Sequence, residues 1–367
     1  MHLTTRRTLL AQAAAVAAIP FISTSRTRAL AAASKKQLGF ALCGLGSLST
    51  HQIAPALQKT AHCHLAGIIT GTPAKAAAWK TQYNIPERNI YTYDTMHRMA
   101  DNRDIDVVYV VTPNALHLEH AQAAAKAGKH VFCEKPMEIS AGRCEQMIAA
   151  LKAADRLLGI GYRCQFEPHH LECMRLAHEK TFGALKIIDA WFSFNSPPGV
   201  WRLNKALAGG GPLMDVGIYA LQSTRYLTGE EPHWISATTT TGDPTRFSEV
   251  EASVAWEAKF PSGAIGRCGA SYDAAPSGYF RALAAQGWFE LNPAFLYDGI
   301  RGTRSDGQAI DFPEIDQFAA EMDDFARCIV EKKPSKVSGE EGLRDVRIMM
   351  AIYESARTGR PVELGKA

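Results

Sequence analysis

From residue 37 to about 160 the chain repeats one pattern: a short apolar run, a turn, then a stretch with helical spacing of its apolar positions. The runs at 38–42, 64–69, 106–111 and 130–133 are the clearest strands. Val107-Val108-Tyr109-Val110-Val111 is apolar at every position, as a strand covered on both faces must be. Strands alternating with helices predict an α/β fold with a doubly wound parallel sheet. Past residue 183 the pattern turns β-rich, with strands predicted at 185–194, 233–241, 253–260, 264–272 and 280–285. Helices at about 314–331 and 340–357 close the chain. Runs of strands behind an alternating half indicate a second, α+β domain with a mostly antiparallel, open-faced sheet. The expected division is a first domain over 35–160 and a second over 161–367.

The residues ahead of the first strand read as an address. Thr5-Arg6-Arg7-Thr8-Leu9-Leu10 carries a twin-arginine pair, the apolar stretch from 9 to 22 follows, and Ala29-Leu30-Ala31 supplies small residues for cleavage. Leu9 and Ala11 depart from the phenylalanine and lysine common at those positions. The apolar run is shorter than the roughly 20 residues a spanning helix needs. Residues 1–31 are therefore expected to be a twin-arginine signal peptide, cleaved after Ala31, that sends the folded protein to the periplasm. Four of the 40 basic residues and none of the 37 acidic ones lie in this leader. Its removal leaves 36 basic against 37 acidic residues, a formal charge of −1 in place of +3. That balance offers no electrostatic ground for a nucleic-acid or membrane partner and favours small molecules. The eight cysteines show neither a C-x-x-C pair nor metal-ligand spacing, so buried free thiols, no metal and no essential disulfide are expected.

Gly44-Leu45-Gly46-Ser47-Leu48-Ser49 directly follows the first strand. Two glycines there suit a tight turn and the close approach of a pyrophosphate, with a helix expected from about Thr50 offering its amides. Ser49 stands where a third glycine is usual. The turn makes the first domain a dinucleotide-binding unit of the Rossmann type. Enzymes that use NAD carry an acid at the end of the second strand, whereas this chain reads Ile69-Thr70-Gly71-Thr72-Pro73-Ala74-Lys75. Without a carboxylate to repel it, a 2′-phosphate is expected on Thr70, the Gly71 amide and Lys75, which makes NADP the cofactor.

Cys133-Glu134-Lys135-Pro136 closes the strand after Gly128-Lys129-His130. Together with Gly44-Leu45-Gly46 and Thr112-Pro113-Asn114-Ala115-Leu116-His117, it resembles the Gfo/Idh/MocA family. Gly161-Tyr162-Arg163, Trp201-Arg202-Leu203, Ala208-Gly209-Gly210-Gly211 and Leu213-Met214-Asp215-Val216-Gly217-Ile218-Tyr219 are similar to its glucose-fructose and aldose-aldose oxidoreductase branch. Tyr219 stands where most of the family has histidine. The resemblance implies that Lys135 contacts the nicotinamide ribose and substrate, that Tyr219 exchanges the substrate proton and that Asp215 helps position the sugar. It further places Gly44, Leu45, Gly46, Ser47, Leu48, Tyr93, Thr112, Pro113, Asn114, His117, Glu134, Arg163, Trp201 and Arg202 against the cofactor. Asp215 and Tyr219 are four apart, so on a helix they share a face.

The reaction so implied oxidises an aldose to its lactone, which removes a hydride and a proton, and passes both to a second sugar to make an alditol. Tyr219 as the base needs its ionised form, and the Lys135 ammonium is expected to stabilise it. A periplasm holds no free NADP pool, so an exported enzyme of this type must keep its cofactor and work by a ping-pong cycle. The alternatives are an exported NAD-dependent glycosidase of the same family and a non-catalytic sugar-binding paralogue. The family also buries the open sheet face between subunits, giving a homodimer or homotetramer.

Overall fold

A computed structural model describes residues 37–365, so the leader expected over 1–31 lies outside the described residues. The first sheet is parallel throughout. Its strands are β1 (Leu38–Cys43), β2 (Cys63–Ile69), β3 (Ile90–Tyr91), β4 (Val107–Val110), β5 (His130–Glu134) and β6 (Leu158–Gly161). They lie in the order β3-β2-β1-β4-β5-β6. Strand order reverses between β1 and β4, which opens a crevice at the carboxyl ends, where sheets of this kind take their ligands. The helices beside the sheet are α1 (Ala54–Leu57), α2 (Pro73–Tyr83), α3 (His117–Lys126) and α4 (Ala141–Ala153). Every residue of β4 is buried, as its unbroken apolar run predicts.

β3 and β6 had no strand signal. A two-residue strand has no pattern, and Leu158-Gly159-Ile160-Gly161 hides its apolar face behind glycines. Close packing requires one of them. A Cβ on Gly159 would meet Phe132 and Phe325 at 2.7 Å.

The second sheet has nine strands in the order β14-β13-β12-β11-β7-β10-β9-β8-β15. They are β7 (Leu185–Asn195), β8 (Trp234–Thr240), β9 (Ser253–Lys259), β10 (Ile265–Ser271), β11 (Asp273–Ala284), β12 (Gly287–Leu291), β13 (Gly302–Arg304), β14 (Ala309–Ile310) and β15 (Val362–Glu363). Only the β7–β10 pair is parallel. β11 begins well before the predicted residue 280, because its first half is small, polar and interrupted by an irregularity between Asp273 and Ser277.

The remaining helices are α5 (Pro168–His178), α6 (Lys205–Ala208), α7 (Ile218–Thr228), α8 (Gln317–Glu331) and α9 (Gly339–Thr358). α7 packs on β7 and β10, and α9 on β8. The opposite face, the open one that the resemblance buries between subunits, carries charged side chains among its aromatic ones. Arg267 pairs with Asp189 at 2.7 Å, and Lys259 and Arg281 each sit 3.9 Å above the rings of Trp234 and Trp288. It is an aromatic surface under cations, with Trp191 36% exposed. All eight cysteines carry free thiols, seven of them buried.

Candidate active site

A cavity of about 1040 Å³ runs from the carboxyl ends of the parallel strands to the near end of β7 and the 292–297 loop. Of the site residues expected from sequence, all line it except Gly71 and His117.

At one end lies the glycine turn. Gly44 has φ +97°, and a Cβ there would stand 2.9 Å from the Val111 carbonyl oxygen and from Thr112. Only glycine fits such a position without strain. A Cβ on Gly46 would meet nothing within 4 Å, so this backbone is open to a ligand. Ser49 replaces the third glycine with a purpose of its own: its buried hydroxyl donates to the Gly44 carbonyl at 2.6 Å and braces the turn. The helix opens at Ser47, earlier than the expected Thr50, and passes through a wide π-type turn (Ser49–Ile53) into α1. Its first amides thus belong to Ser47 and Leu48, inside the cavity, where they suit a phosphate.

The end of β2 supplies Thr70, Thr72 and Lys75 to the cavity. Gly71 is exposed beside the Tyr93 ring and does not line it; Thr72, two residues beyond Thr70 and bonded to its hydroxyl, takes that place. The Lys75 ammonium donates to the Leu45 carbonyl at 2.9 Å, which ties α2 to the glycine turn. The two carboxylates of the cavity, Glu134 and Asp215, both belong to its other end, around Lys135.

His117 is a correction. It is fully buried, with Nε2 2.8 Å from the Thr112 carbonyl and Nδ1 3.1 Å from that of Pro136. It braces the two strand-end turns against each other and does not line the cavity. The Asn114 amide likewise donates to the Ala208 carbonyl at 2.9 Å, and the Tyr93 ring stacks on His120.

The far end gathers charged and phenolic groups. Lys135 Nζ donates to the Asp215 carbonyl at 2.6 Å and lies 3.3 Å from its Oδ1. Asp215 Oδ2 accepts from the Tyr272 hydroxyl at 2.8 Å and pairs with Arg202 Nε at 3.0 Å. Arg202, expected on the cofactor, is thus held on Asp215 and stacks over Trp201. Burial opposes the Asp215 charge, but Arg202, Lys135 and Tyr272 outweigh it and keep the carboxyl well below the usual carboxylate range.

Tyr219 is the second residue of α7, just after the π-type turn (Leu213–Gly217) that carries Asp215, and both side chains line the same cavity. Arg163 Nε donates to the Tyr219 hydroxyl at 3.2 Å. The other Arg163 bonds go to the carbonyls of Phe295 and Leu296 and to Gln317. Burial pushes the Tyr219 phenol up and Arg163 pulls it back. The cation on the phenolic oxygen is therefore Arg163; Lys135 lies 4.7 Å from the ring centroid.

Residues 38–162 match the oxidoreductase family with an NAD-binding Rossmann fold, 170–290 the GFO/IDH/MocA C-terminal domain, and 303–364 the oxidoreductase-family C-terminal alpha/beta domain. D-xylose 1-dehydrogenase [NADP(+)] of Haloarcula marismortui is 30% identical over 341 residues, 90% of this chain and 94% of that protein. The chain belongs to the Gfo/Idh/MocA oxidoreductase family. A second D-xylose 1-dehydrogenase (NADP(+)), from Haloferax volcanii, is 31% identical over 89% of this chain and 99% of its own length. Among solved structures, aldose-aldose oxidoreductase from Caulobacter crescentus, complexed with glycerol, is 42% identical. It superposes with a TM-score of 0.86 over 90% of this chain and all of that one.

Within this Gfo/Idh/MocA member, sequence reasoning missed Tyr272, Thr72, Phe192 and Tyr297. Tyr272 and Phe192 sit on β10's exit and β7, and only the β7–β10 pairing brings them to the cavity. Thr72 was legible, being the second hydroxyl in a run already singled out.

Proposed function

We propose that this chain is an NADP-dependent sugar oxidoreductase that oxidises an aldose to its lactone and reduces a second sugar to an alditol without releasing its cofactor. The observation that carries the reading is the pairing, in one cavity, of a glycine turn free of carboxylates with the Lys135–Asp215–Tyr272 and Arg163–Tyr219 clusters. The 42% identical aldose-aldose oxidoreductase supports the sugar pair, and the two xylose dehydrogenases support NADP.

When bound, NADP supplies the acceptor and donor of hydride. The chain's own residues hold the sugar and move the proton. Asp215, neutralised on three sides, fixes the Lys135 ammonium by two of its contacts and leaves one N–H for a sugar hydroxyl. Tyr219 accepts the proton of the aldose hydroxyl as a phenolate stabilised by Arg163, and returns it as a phenol to the carbonyl of the second sugar. Lysine and tyrosine thus divide the work of orientation and proton transfer.

Export to the periplasm and the retained cofactor belong together in this reading, because loading inside the cell makes a free cofactor pool outside unnecessary. The test is product analysis without added NADP. Purified protein given glucose and fructose, or a second aldose, should yield gluconolactone or its hydrolysis product and an alditol in equal amounts. Turnover only with added NADP would remove the retained-cycle reading, and release of nitrophenol from a nitrophenyl glycoside would favour the glycosidase.

A further inference from the structure

Glu134 at the cavity wall and Glu321 behind it are two buried carboxyl groups joined by one phenol, and proton transfer from sugar requires none of the three. Tyr109 of β4 is fully buried, and its hydroxyl donates to Glu134 Oε1 at 2.8 Å. The same oxygen lies 3.3 Å from Oε1 of Glu321 on α8. A phenol carries one proton. With that proton on Glu134, an ionised Glu321 would set acceptor against acceptor where both side chains are buried, a costly arrangement. A proton on Glu321, donated to the Tyr109 oxygen, satisfies both. Glu321 Oε2 has no hydrogen-bond partner among the described residues, and the side chain is 0% exposed. Arg163 is the cation whose field reaches Glu321, but its N–H groups are directed to Tyr219, Phe295, Leu296 and Gln317. Besides Glu134 and Tyr109, Cys164 is a titratable group facing it, and adds no positive charge.

Glu134 has the opposite surroundings. Its Oε2 accepts the Lys135 backbone N–H at 3.2 Å, and the Lys135 charge favours its ionised form. Gly161 makes room for the junction, since a Cβ there would stand 3.1 Å from Glu134 Oε1 and 3.3 Å from the Tyr109 oxygen. Burial raises both carboxyls, Glu321 well above the usual range.

We propose that Glu321 is a neutral carboxylic acid that shares its proton with Glu134 through Tyr109, so that one negative charge moves toward or away from the cofactor cavity as the charge in the cavity changes. The inference rests on the cavity being the NADP site. In the shift, the Glu321 O–H bond breaks, the Tyr109 oxygen gains that proton, and Tyr109 passes its own to Glu134. Two bonds break and two form, and nothing is oxidised. Positive charge in the cavity holds the negative charge on Glu134, and its loss on reduction lets the charge withdraw to Glu321. The three groups therefore act as a positioning relay that eases formation of bound NADPH.

Glu321→Gln keeps the shape and a donor to Tyr109 but has no proton to pass, and Tyr109→Phe cuts the relay. Each protein is dialysed to equilibrium against a defined mixture of NADP+ and NADPH, and the bound ratio is read by absorbance. Both variants should hold less NADPH relative to NADP+ by roughly tenfold, the effect of one charge displaced by a few ångströms inside a protein. Wild-type ratios in both would overturn the relay. Infrared spectra of the protein should show a protonated carboxyl band that moves in D₂O and disappears in Glu321→Gln; its absence from the wild type would overturn the placement of the proton. If Glu321→Gln does not fold, Tyr109→Phe carries the dialysis test. Wild-type protein that takes up neither dinucleotide would overturn the NADP reading and the coupling with it, while the infrared band still reports the proton on Glu321.

Discussion

Asp215 touches Lys135, Arg202 and Tyr272, and in the proposed reaction this bears on which side chain carries protons. A carboxyl held so far down is a poor base at neutral pH, which leaves Tyr219. Removing its hydroxyl as Tyr219→Phe keeps the ring among Phe192 and Phe295. Both half-reactions should slow by about 10² to 10⁴-fold, the usual contribution of an acid-base group, with the cofactor still bound. Stopped-flow absorbance follows each half-reaction, and wild-type rates in both would remove Tyr219 from the role. Because burial raises the phenol, the phenolate needed for oxidation grows as pH rises. The aldose half-reaction should therefore climb with pH on the alkaline side of neutrality, while reoxidation, which uses the phenol, should not; parallel profiles would contradict this assignment. At the other end, Lys75→Ala should weaken NADP by roughly 1.5–3 kcal/mol, as for a hydrogen bond to a charged group, and leave NAD nearly unchanged. Equal losses for both would make the bond to Leu45 its whole role. Motif residues such as Lys135 and Tyr219 were legible because one cavity needs them all; the partners of Tyr219 were not, since Arg163 lies 56 positions away and its direction depends on the 295–297 loop.

Elements show the same division. β1, β2, β4 and β5 were readable because strands covered on both faces are apolar without interruption, while β6 and the first half of β11 lack that signal for want of side chains to carry it. α5 adds a device that spacing did not reveal. Glu167 caps it, accepting the His170 N–H at 3.0 Å and ring contacts from His169 and His170 at 2.6 and 2.8 Å. Burial opposes the Glu167 charge, but both histidines outweigh it and hold the carboxyl at about 2. Burial also favours a neutral His170, yet Cys164 and Glu167 push it up to about 9. The depressed carboxyl stabilises the fold above its unfolded value of about 4.3 and less as pH falls toward 2, while the raised imidazole stabilises it below about 6.5 and less as pH rises through 9. The melting-temperature advantage of wild type over Glu167→Gln should be largest between about pH 4.3 and 6.5 and shrink toward pH 9. An advantage that stays constant up to pH 9 would show that His170 is not charged.

At the scale of the molecule, the open face of the nine-stranded sheet presents Trp191, Trp234 and Trp288 with paired charges among them. Such a surface suits a symmetric partner, and light scattering should give at least twice the chain's 40.0 kDa, less any leader removed. A particle of one chain's mass would contradict the dimer. A retained cofactor can be read in the near-ultraviolet spectrum of purified, desalted protein. Excess aldose alone should produce the absorbance of reduced nicotinamide, close to one per chain, and a second sugar should then abolish it. Protein that shows no such band until NADP is added, or whose band survives the second sugar, would mean that the cofactor is not held and cycled between sugars.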